Sequence, residues 1–414
     1  MTNLVHISAE IGTSHGGSRE KARQLIDAAA AAGADSVKFQ WVYAHEILHP
    51  NTGLVKLPGG AIPLYERFRQ LEVPAAFFQE VRDYARSKGC QFICSPFGLQ
   101  SLEELAALAP DAIKIASPEL NHQPLLRRLA EIRRTQASQG QTPVPVILSS
   151  GVSTLADIEG ALKILAAEEL ALGSDPIESG DGSYRCPSLQ GVTLLHCITA
   201  YPAPAEEYNL RVLQNLAGIF GVEVGVSDHS LDPQLVPVLA AACGARFIEK
   251  HITLSRETDG LDDPVALEPQ QFAQMVAQVR RMERPIKNYG CQCGSSLIIE
   301  EMDEKYGRET VQAVLGTGIK RLAPSEQANY GRTNRSVHVL RDMKQGEILT
   351  EDAVAILRTE KVLEPGLEPK HLPSITGAVL KQDIASGQGV QWQHLIHTRN
   401  SLQSPDGDLR QEKG

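Results

Sequence analysis

Nothing in this sequence is built for a bilayer or a nucleic-acid backbone. It has no run of about 18 apolar residues, so no membrane-spanning helix is expected. The formal charge of -10 speaks against a nucleic-acid partner, which wants a basic face. It leaves room for an anionic substrate, because a phosphate site needs only a few local cations. No early basic-then-apolar stretch is present, so no secretory leader is expected. Cysteine is sparse and odd in number: seven residues, Cys90, Cys94, Cys186, Cys197, Cys243, Cys291 and Cys293, spread over 414. That usage reads as reduced thiols of a cytoplasmic protein. Cys291 and Cys293 form a C-x-C pair with no nearby partners to complete a metal ligand set.

What is present is a rhythm. Short apolar runs alternate with longer segments of helical period across residues 1–285. The predicted strands are Val5–Ile11, Ser36–Trp41, Gln91–Cys94, Ala112–Ala116, Val144–Ser149, Val192–Ile198, Glu223–Val226 and Arg246–His251. Most are apolar nearly throughout, as parallel strands covered on both faces are. The predicted helices are Arg19–Ala32, Pro74–Ser87, Leu102–Leu108, Gln123–Arg134, Thr154–Leu172, Leu210–Phe220, Pro233–Ala242 and Pro269–Met282. Eight successive strand–helix units predict an α/β (β/α)8 TIM barrel. An open doubly wound sheet is the competitor, but Gly12, Gly16 and Gly17 lack the spacing of its phosphate loop. Two insertions interrupt the rhythm, Ala44–Val73 and Gly173–Gly191, the second a polar surface loop. Residues 286–332 read as a linker with a short helix at Glu300–Gly307. Residues 333–398 read as a small β-rich module with strands at Ser336–Leu340, Ala378–Ile384 and Gly389–Trp392 and a capped short helix at Thr350–Ala353. Residues 399–414 read as a disordered polar tail.

A barrel carries its chemistry at the C-terminal ends of its strands. Those ends hold Glu10 with His15 after it, Lys38 and Gln40, Ser95 and Phe97, Lys114 with Ser117 and Glu119, and Ser149 with Ser150. They continue with His196, Thr199 and Tyr201, then Ser227, Asp228 and His229, and finally Glu249, Lys250 and His251, followed by Asp262. Polar groups in apolar strands are costly unless paired, so a barrel without a site has no reason to collect them on one rim. Singly, most have a structural reading: Lys38 could pair with Glu10, and His196 could be a satisfied core histidine. His229 and His251 end adjacent strands about 4.8 Å apart, close enough to share a metal ion. With a carboxylate such as Glu10 they would suit Mn2+, Fe2+ or Zn2+ and leave positions open for substrate. Lys38, Lys114 and the hydroxyls suit a phosphate or carboxylate. The residues alone thus point to a metal site beside an anion site, without naming a reaction.

Eight strings occur in order: Ala9-Glu10-Ile11-Gly12, Val37-Lys38-Phe39-Gln40, Ser95-Pro96-Phe97, Lys114-Ile115-Ala116-Ser117, Leu148-Ser149-Ser150-Gly151, Tyr201-Pro202, Gly225-Val226-Ser227-Asp228-His229 and Glu249-Lys250-His251. Together they resemble the sialic acid synthase family, which includes neuraminic, legionaminic and pseudaminic acid synthases. The module after residue 332 is similar to that family's antifreeze-like (SAF) domain. The resemblance implies condensation of phosphoenolpyruvate with an N-acetylated amino-sugar aldehyde, giving a nine-carbon sugar acid and phosphate. It implies a divalent ion, Mn2+ first with Mg2+ or Co2+ as alternatives, on His229 and His251. It implies phosphoenolpyruvate contacts from Lys38, Lys114, Ser95, Ser117, Ser149 and Ser227, and catalytic carboxylates at Glu10 and Glu119, the latter handling the water proton. Phe97, Thr199, Tyr201 and Asp262 fall in the substrate site. Arg358 matches an arginine that reaches the neighbouring subunit's site, which implies a domain-swapped homodimer.

The sequence also departs from the family pattern. Thr199 stands where some relatives have Asn, Leu261 where Pro is usual and Ala266 where Ser is usual. An Asn expected near Gly59 and Gly60 is absent, and the stretch after Met282 is longer. Two other classes share parts of the pattern. A metal-dependent aldolase or lyase would use the histidine pair and the anion site. A sugar-binding protein that has lost catalysis would fit the altered loop.

Overall fold

The computed structural model describes residues 4–57, 60–166, 177–178, 184–185, 189–258 and 260–397. Eight parallel strands close into a barrel: β1 His6–Gly12, β2 Ser36–Trp41, β3 Gln91–Pro96, β4 Ala112–Ile115, β5 Val146–Ser149, β6 Val192–Cys197, β7 Glu223–Asp228 and β8 Phe247–His251. Each strand pairs with its sequence neighbours, and β8 closes on β1 with Glu10 opposite His251. Closure leaves no edge strand to cover. It also puts the C-terminal ends of all eight strands around one mouth.

Local signals explain the elements. Ser18 caps the helix Arg19–Ala32 by accepting from the Lys21 amide, and Gly33 ends it at a φ of 87°. Gly225 on β7 is held to glycine by crowding, because a Cβ there would lie 2.2 Å from the Phe247 carbonyl oxygen. Ile93, Ala112, Ile147, Leu195 and Phe247 form a separate buried apolar cluster from strands β3, β4, β5, β6 and β8. The larger core lies between strands and helices, where Phe39, Phe77, Phe78 and Phe92 pack ring against ring.

The expectation of a linker over 286–332 is corrected. A helix runs Pro269–Tyr306, broken at Gly290 (φ 77°, ψ 170°), and a second runs Arg308–Leu315. Ile298, Met302, Val311, Val314 and Leu315 are buried in the main core. The apolar positions are sparse because polar and small residues dominate Tyr289–Ser296. Cys291 and Cys293 lie in this helix, exposed and unbridged. Among the described residues, no group of three or more metal-ligating side chains exists.

The C-terminal module also differs in detail. β9 Arg335–Val339 pairs antiparallel with β10 Val354–Arg358, a strand that the sequence pattern did not predict. β11 is only Val379–Leu380, and its partner is β12 Leu395–His397 rather than Gly389–Trp392. In place of the capped short helix expected at Thr350–Ala353 there is a 3-10 turn at Glu351–Ala353 without a side-chain cap from Thr350. Most of the Gly173–Gly191 loop, the end of the helix expected to Leu172 and the tail from 399 lie outside the described residues. No helix among the described residues is long and apolar enough to cross a membrane.

The buried face of the second half-helix yields a prediction. Met302→Ala should cost about 2–5 kcal/mol, the usual range for a truncated core side chain, read by urea unfolding. A change near zero would mean this segment is a free linker after all.

Candidate active site

Strand alternation decides which charges face the mouth. On β2, Lys38 and Gln40 point in. On β8, Glu249 and His251 point in, whereas Lys250 points out and is paired with Asp228 at 2.6 Å, both fully buried. Lys250 and Asp228, noted at the strand ends, therefore belong to the packing behind the barrel. His196 also faces away, donating to the Tyr208 carbonyl at 2.7 Å as a satisfied core histidine. His15 packs against Phe77 at 4.7 Å, outside the mouth.

The inward residues line a cavity of about 200 Å³. It gathers Glu10, Lys38, Lys114, Phe97, Ser117, Ser149, Thr199, Tyr201, Ser227, His229, His251, Asp262 and Arg358. Gln40, Thr13, Cys197, Thr333 and Glu249 line it too, without having been assigned a role. The signal for Gln40 and Glu249 was present, since each lies two residues from an assigned one. Ser95 lies just behind, accepting from Lys38 at 3.4 Å. Gly151 closes the floor: its amide donates to Ser117 Oγ, and a Cβ there would meet Thr199 Oγ1 at 2.2 Å.

Two lysines and two carboxylates are buried together. Lys38 Nζ lies 3.0 Å from Glu10 and 3.5 Å from Glu249, and Lys114 Nζ lies 3.0 Å from both Glu249 oxygens. Ser227 donates to Glu249 at 2.8 Å and Gln40 donates to Glu10 at 2.8 Å. Burial works against every charge here. For Glu249 the two lysines overcome it and hold the carboxyl well below its usual range. For Glu10 burial wins, and its pKa rises to about 7. Burial lowers Lys114, while Lys38, flanked by both carboxylates, is raised despite its burial.

Beside this cluster stand the two histidines, ring centroids 5.5 Å apart. His229 Nδ1 donates to the Ile198 carbonyl at 2.8 Å; burial lowers its pKa but the neighbouring Cys197 raises it to about 9, so a metal ion would take the place of the Nε2 proton. His251 Nδ1 is buried without a hydrogen-bond partner, with Asp262 Oδ2 at 3.9 Å. Burial holds His251 well below its ordinary pKa, hence neutral, the form that ligates metal. Tyr201 stacks on His229 at 4.3 Å. The pair fits a metal site with two protein imidazoles, the remaining positions being left to water and substrate.

Glu119 lies beside the cavity, next to the lining residues Ser117, Pro118 and Arg358. It does not line the cavity; its Oε1 accepts from Arg335 at 2.9 Å and from Arg358 at 2.7 Å. That oxygen, shared by two guanidiniums, is a contact between barrel and module, while Oε2 is buried without a hydrogen-bond partner. Arg335, missed in the sequence, is fully buried and also donates to the Phe97 carbonyl at 2.7 Å. Arg358 lines the cavity of its own chain, its guanidinium 5.4 Å from the Phe97 ring centre. Glu119→Ala leaves the buried Arg335 and the part-buried Arg358 without their carboxylate and should destabilise by about 3–5 kcal/mol, measured by denaturant unfolding. A loss under about 1 kcal/mol, as for a surface pair, would contradict the docking role.

Comparison with known proteins covers both parts of the chain. Residues 25–289 match the NeuB family and residues 334–396 match the SAF domain. The spore coat polysaccharide biosynthesis protein SpsE of Bacillus subtilis is 31% identical over 395 residues, covering 95% of this chain and 94% of that protein. Its crystal structure aligns with a TM-score of 0.71 over 96% of this chain and 97% of that one. The N,N'-diacetyllegionaminic acid synthase of Campylobacter jejuni is 30% identical over 349 residues, 83% of this chain and 87% of that protein. A pseudaminic acid synthase of the same species is 30% identical over 392 residues, 94% and 95% of the two chains. A barrel with this mouth, matched over these lengths and followed by a SAF domain, belongs to the NeuB family, whose named members include legionaminic and pseudaminic acid synthases.

Proposed function

We propose that this chain is a cytoplasmic synthase that joins phosphoenolpyruvate to an N-acetylated amino-sugar aldehyde, forming a nine-carbon 2-keto sugar acid and phosphate. The observation that carries the reading is the meeting of Lys38 and Lys114 with His229 and His251 around one cavity. Carbon 3 of phosphoenolpyruvate attacks the aldehyde carbon, and the aldehyde oxygen takes up a proton. Water adds to carbon 2, and phosphate leaves with its bridging oxygen as the carbon–oxygen bond breaks.

The residues divide this work. Lys38, Lys114, Ser117, Ser149 and Ser227 hold the phosphate and carboxylate through charge-assisted and hydroxyl hydrogen bonds. Ser95 fixes Lys38 from behind. Glu10, with a pKa near 7, can give or take a proton at the reacting carbons near neutral pH. Tyr201, Thr199, Phe97 and Asp262 face the side where the sugar would lie, and Arg358 adds a cation at its edge. A divalent ion on His229 and His251, Mn2+ by preference with Mg2+ or Co2+ as alternatives, would supply Lewis-acid polarisation of the aldehyde. A metal aldolase or lyase would account for the histidine pair but leaves Arg358 without a task.

The direct test is phosphate release from phosphoenolpyruvate with Mn2+ across N-acetylmannosamine, its 6-phosphate and dideoxy diacetamido sugars. Release should require both acceptor and metal and stop with EDTA. Lys114→Ala should lower kcat/KM on the order of 100-fold or more, as loss of a preorganised charge does. Release that ignores the acceptor, or survives EDTA, would reject the reading. The Glu10 carboxyl adds a pH signature. Below about pH 7 it is protonated, so Lys38 is less neutralised and holds an anion better. Above that pH the carboxylate competes, so KM for phosphoenolpyruvate should rise through neutrality. Glu10→Gln should flatten that rise; an unchanged profile would assign the titration to another group.

A further inference from the structure

The cavity is layered along the barrel axis. Lys38, Lys114 and Glu249 lie one to three residues inside the ends of β2, β4 and β8, whereas His251 ends β8 and His229 follows the end of β7. Val42 and Phe97 come just past the ends of β2 and β3. The anion site is therefore deepest, and the histidine pair stands at the level of the strand ends. The residues beyond them meet whatever projects toward the open side.

Part of that outer layer is apolar. Val42, Phe68, Leu71, Phe97 and Leu261 line the cavity, and the same five pack together in one cluster. Both pieces that come from far along the chain are held in place. The Ala44 amide donates to Glu72 at 2.8 Å, closing the insertion that carries Phe68 on the helix Leu64–Arg69. Asp263, fully buried, accepts from Ser14 and Thr258, and the Leu267 amide donates to the His251 carbonyl at 2.9 Å. The loop bearing Leu261 is thereby tied to the ends of β1 and β8. A preformed apolar wall is unfavourable in water until an apolar group covers it. Sugar hydroxyls do not cover it, and a methyl group does.

Charge is disfavoured there as well. Among the described lining residues, the lysine and arginine cations are Lys38, Lys114 and Arg358. The two lysines are paired with Glu10 and Glu249 in the deep layer. Arg358 gives both Nε and Nη2 to Glu119, at 3.0 and 2.7 Å. A phosphate at the wall would lose water without gaining a free cation.

We propose that Phe68, Leu71 and Leu261 set acceptor specificity. They take an amino-sugar aldehyde whose far end is uncharged and carries a methyl group in place of a hydroxymethyl group or its phosphate. This rests on the proposed synthase reaction, since an aldehyde held at the histidines is what points the far end at the wall.

The test takes the amino sugar that releases most phosphate from phosphoenolpyruvate with Mn2+ and compares kcat/KM for its 6-deoxy, 6-hydroxy and 6-phosphate forms. The 6-deoxy form should be favoured over the 6-hydroxy form on the order of 10- to 100-fold, the range an apolar pocket achieves against an added hydroxyl. The 6-phosphate should be the slowest. Leu261→Ser and Phe68→Ser, made separately, should each pull the 6-deoxy to 6-hydroxy ratio toward one. A folding defect lowers both forms alike and leaves that ratio untouched. Equal values for the three forms, or a preference for the 6-phosphate, overturn this inference and leave the synthase reading standing. A preference that survives in both variants overturns the assignment to this wall. Phosphate release with no amino sugar strikes the synthase reading, and this inference falls with it.

Discussion

Two lysines and two carboxylates buried in the barrel's mouth constrain everything around them. Lys38, Lys114, Glu10 and Glu249 are nearly inaccessible to water, so each must find its partner within the strands. Removing one partner from such a cluster strands the other charge, at a typical cost of about 3–5 kcal/mol. Glu249 sits between both lysines and is the most firmly ionised of the four. Glu10 is the member for which burial wins, its pKa pushed up to about 7.

The second dependence is between domains. The mouth is walled on one side by the SAF domain, whose Arg358 lines the cavity and whose Arg335 is buried against Glu119 and the Phe97 carbonyl. Phe97 thus touches both the cavity and the docking contact. Thr199 also lines the cavity, and its amide is held by Glu326 from the stretch before the SAF domain. That side of the mouth is shaped by the barrel, the stretch before the module and the module together.

Much of this was legible in the sequence. The eight strands appear because each is a short apolar run, and the helix Arg19–Ala32 because Ser18 and Gly33 mark its ends. The residues of the mouth are legible because period-two alternation in a buried strand leaves little reason for Lys38, Lys114, Glu249 or His251 other than facing the interior. The stretch after Met282 was not legible. Its helix passes through Gly290 and a polar run, and its buried face is carried by widely spaced Ile298 and Met302. The task of Glu119 was hidden too. Motif position placed it near the reacting carbons, but its partners lie more than 200 residues on, and no local pattern in the sequence encodes that pairing.

The central claim is that the anion site and the histidine pair share one cavity. It is tested most directly by electron paramagnetic resonance of Mn2+ bound to the full chain, recorded before and after phosphoenolpyruvate is added. The account predicts a bound Mn2+ signal that needs His229 and His251 and that changes when phosphoenolpyruvate binds. A signal indifferent to phosphoenolpyruvate shown to be bound, or retained without both histidines, would place the metal elsewhere and contradict the account.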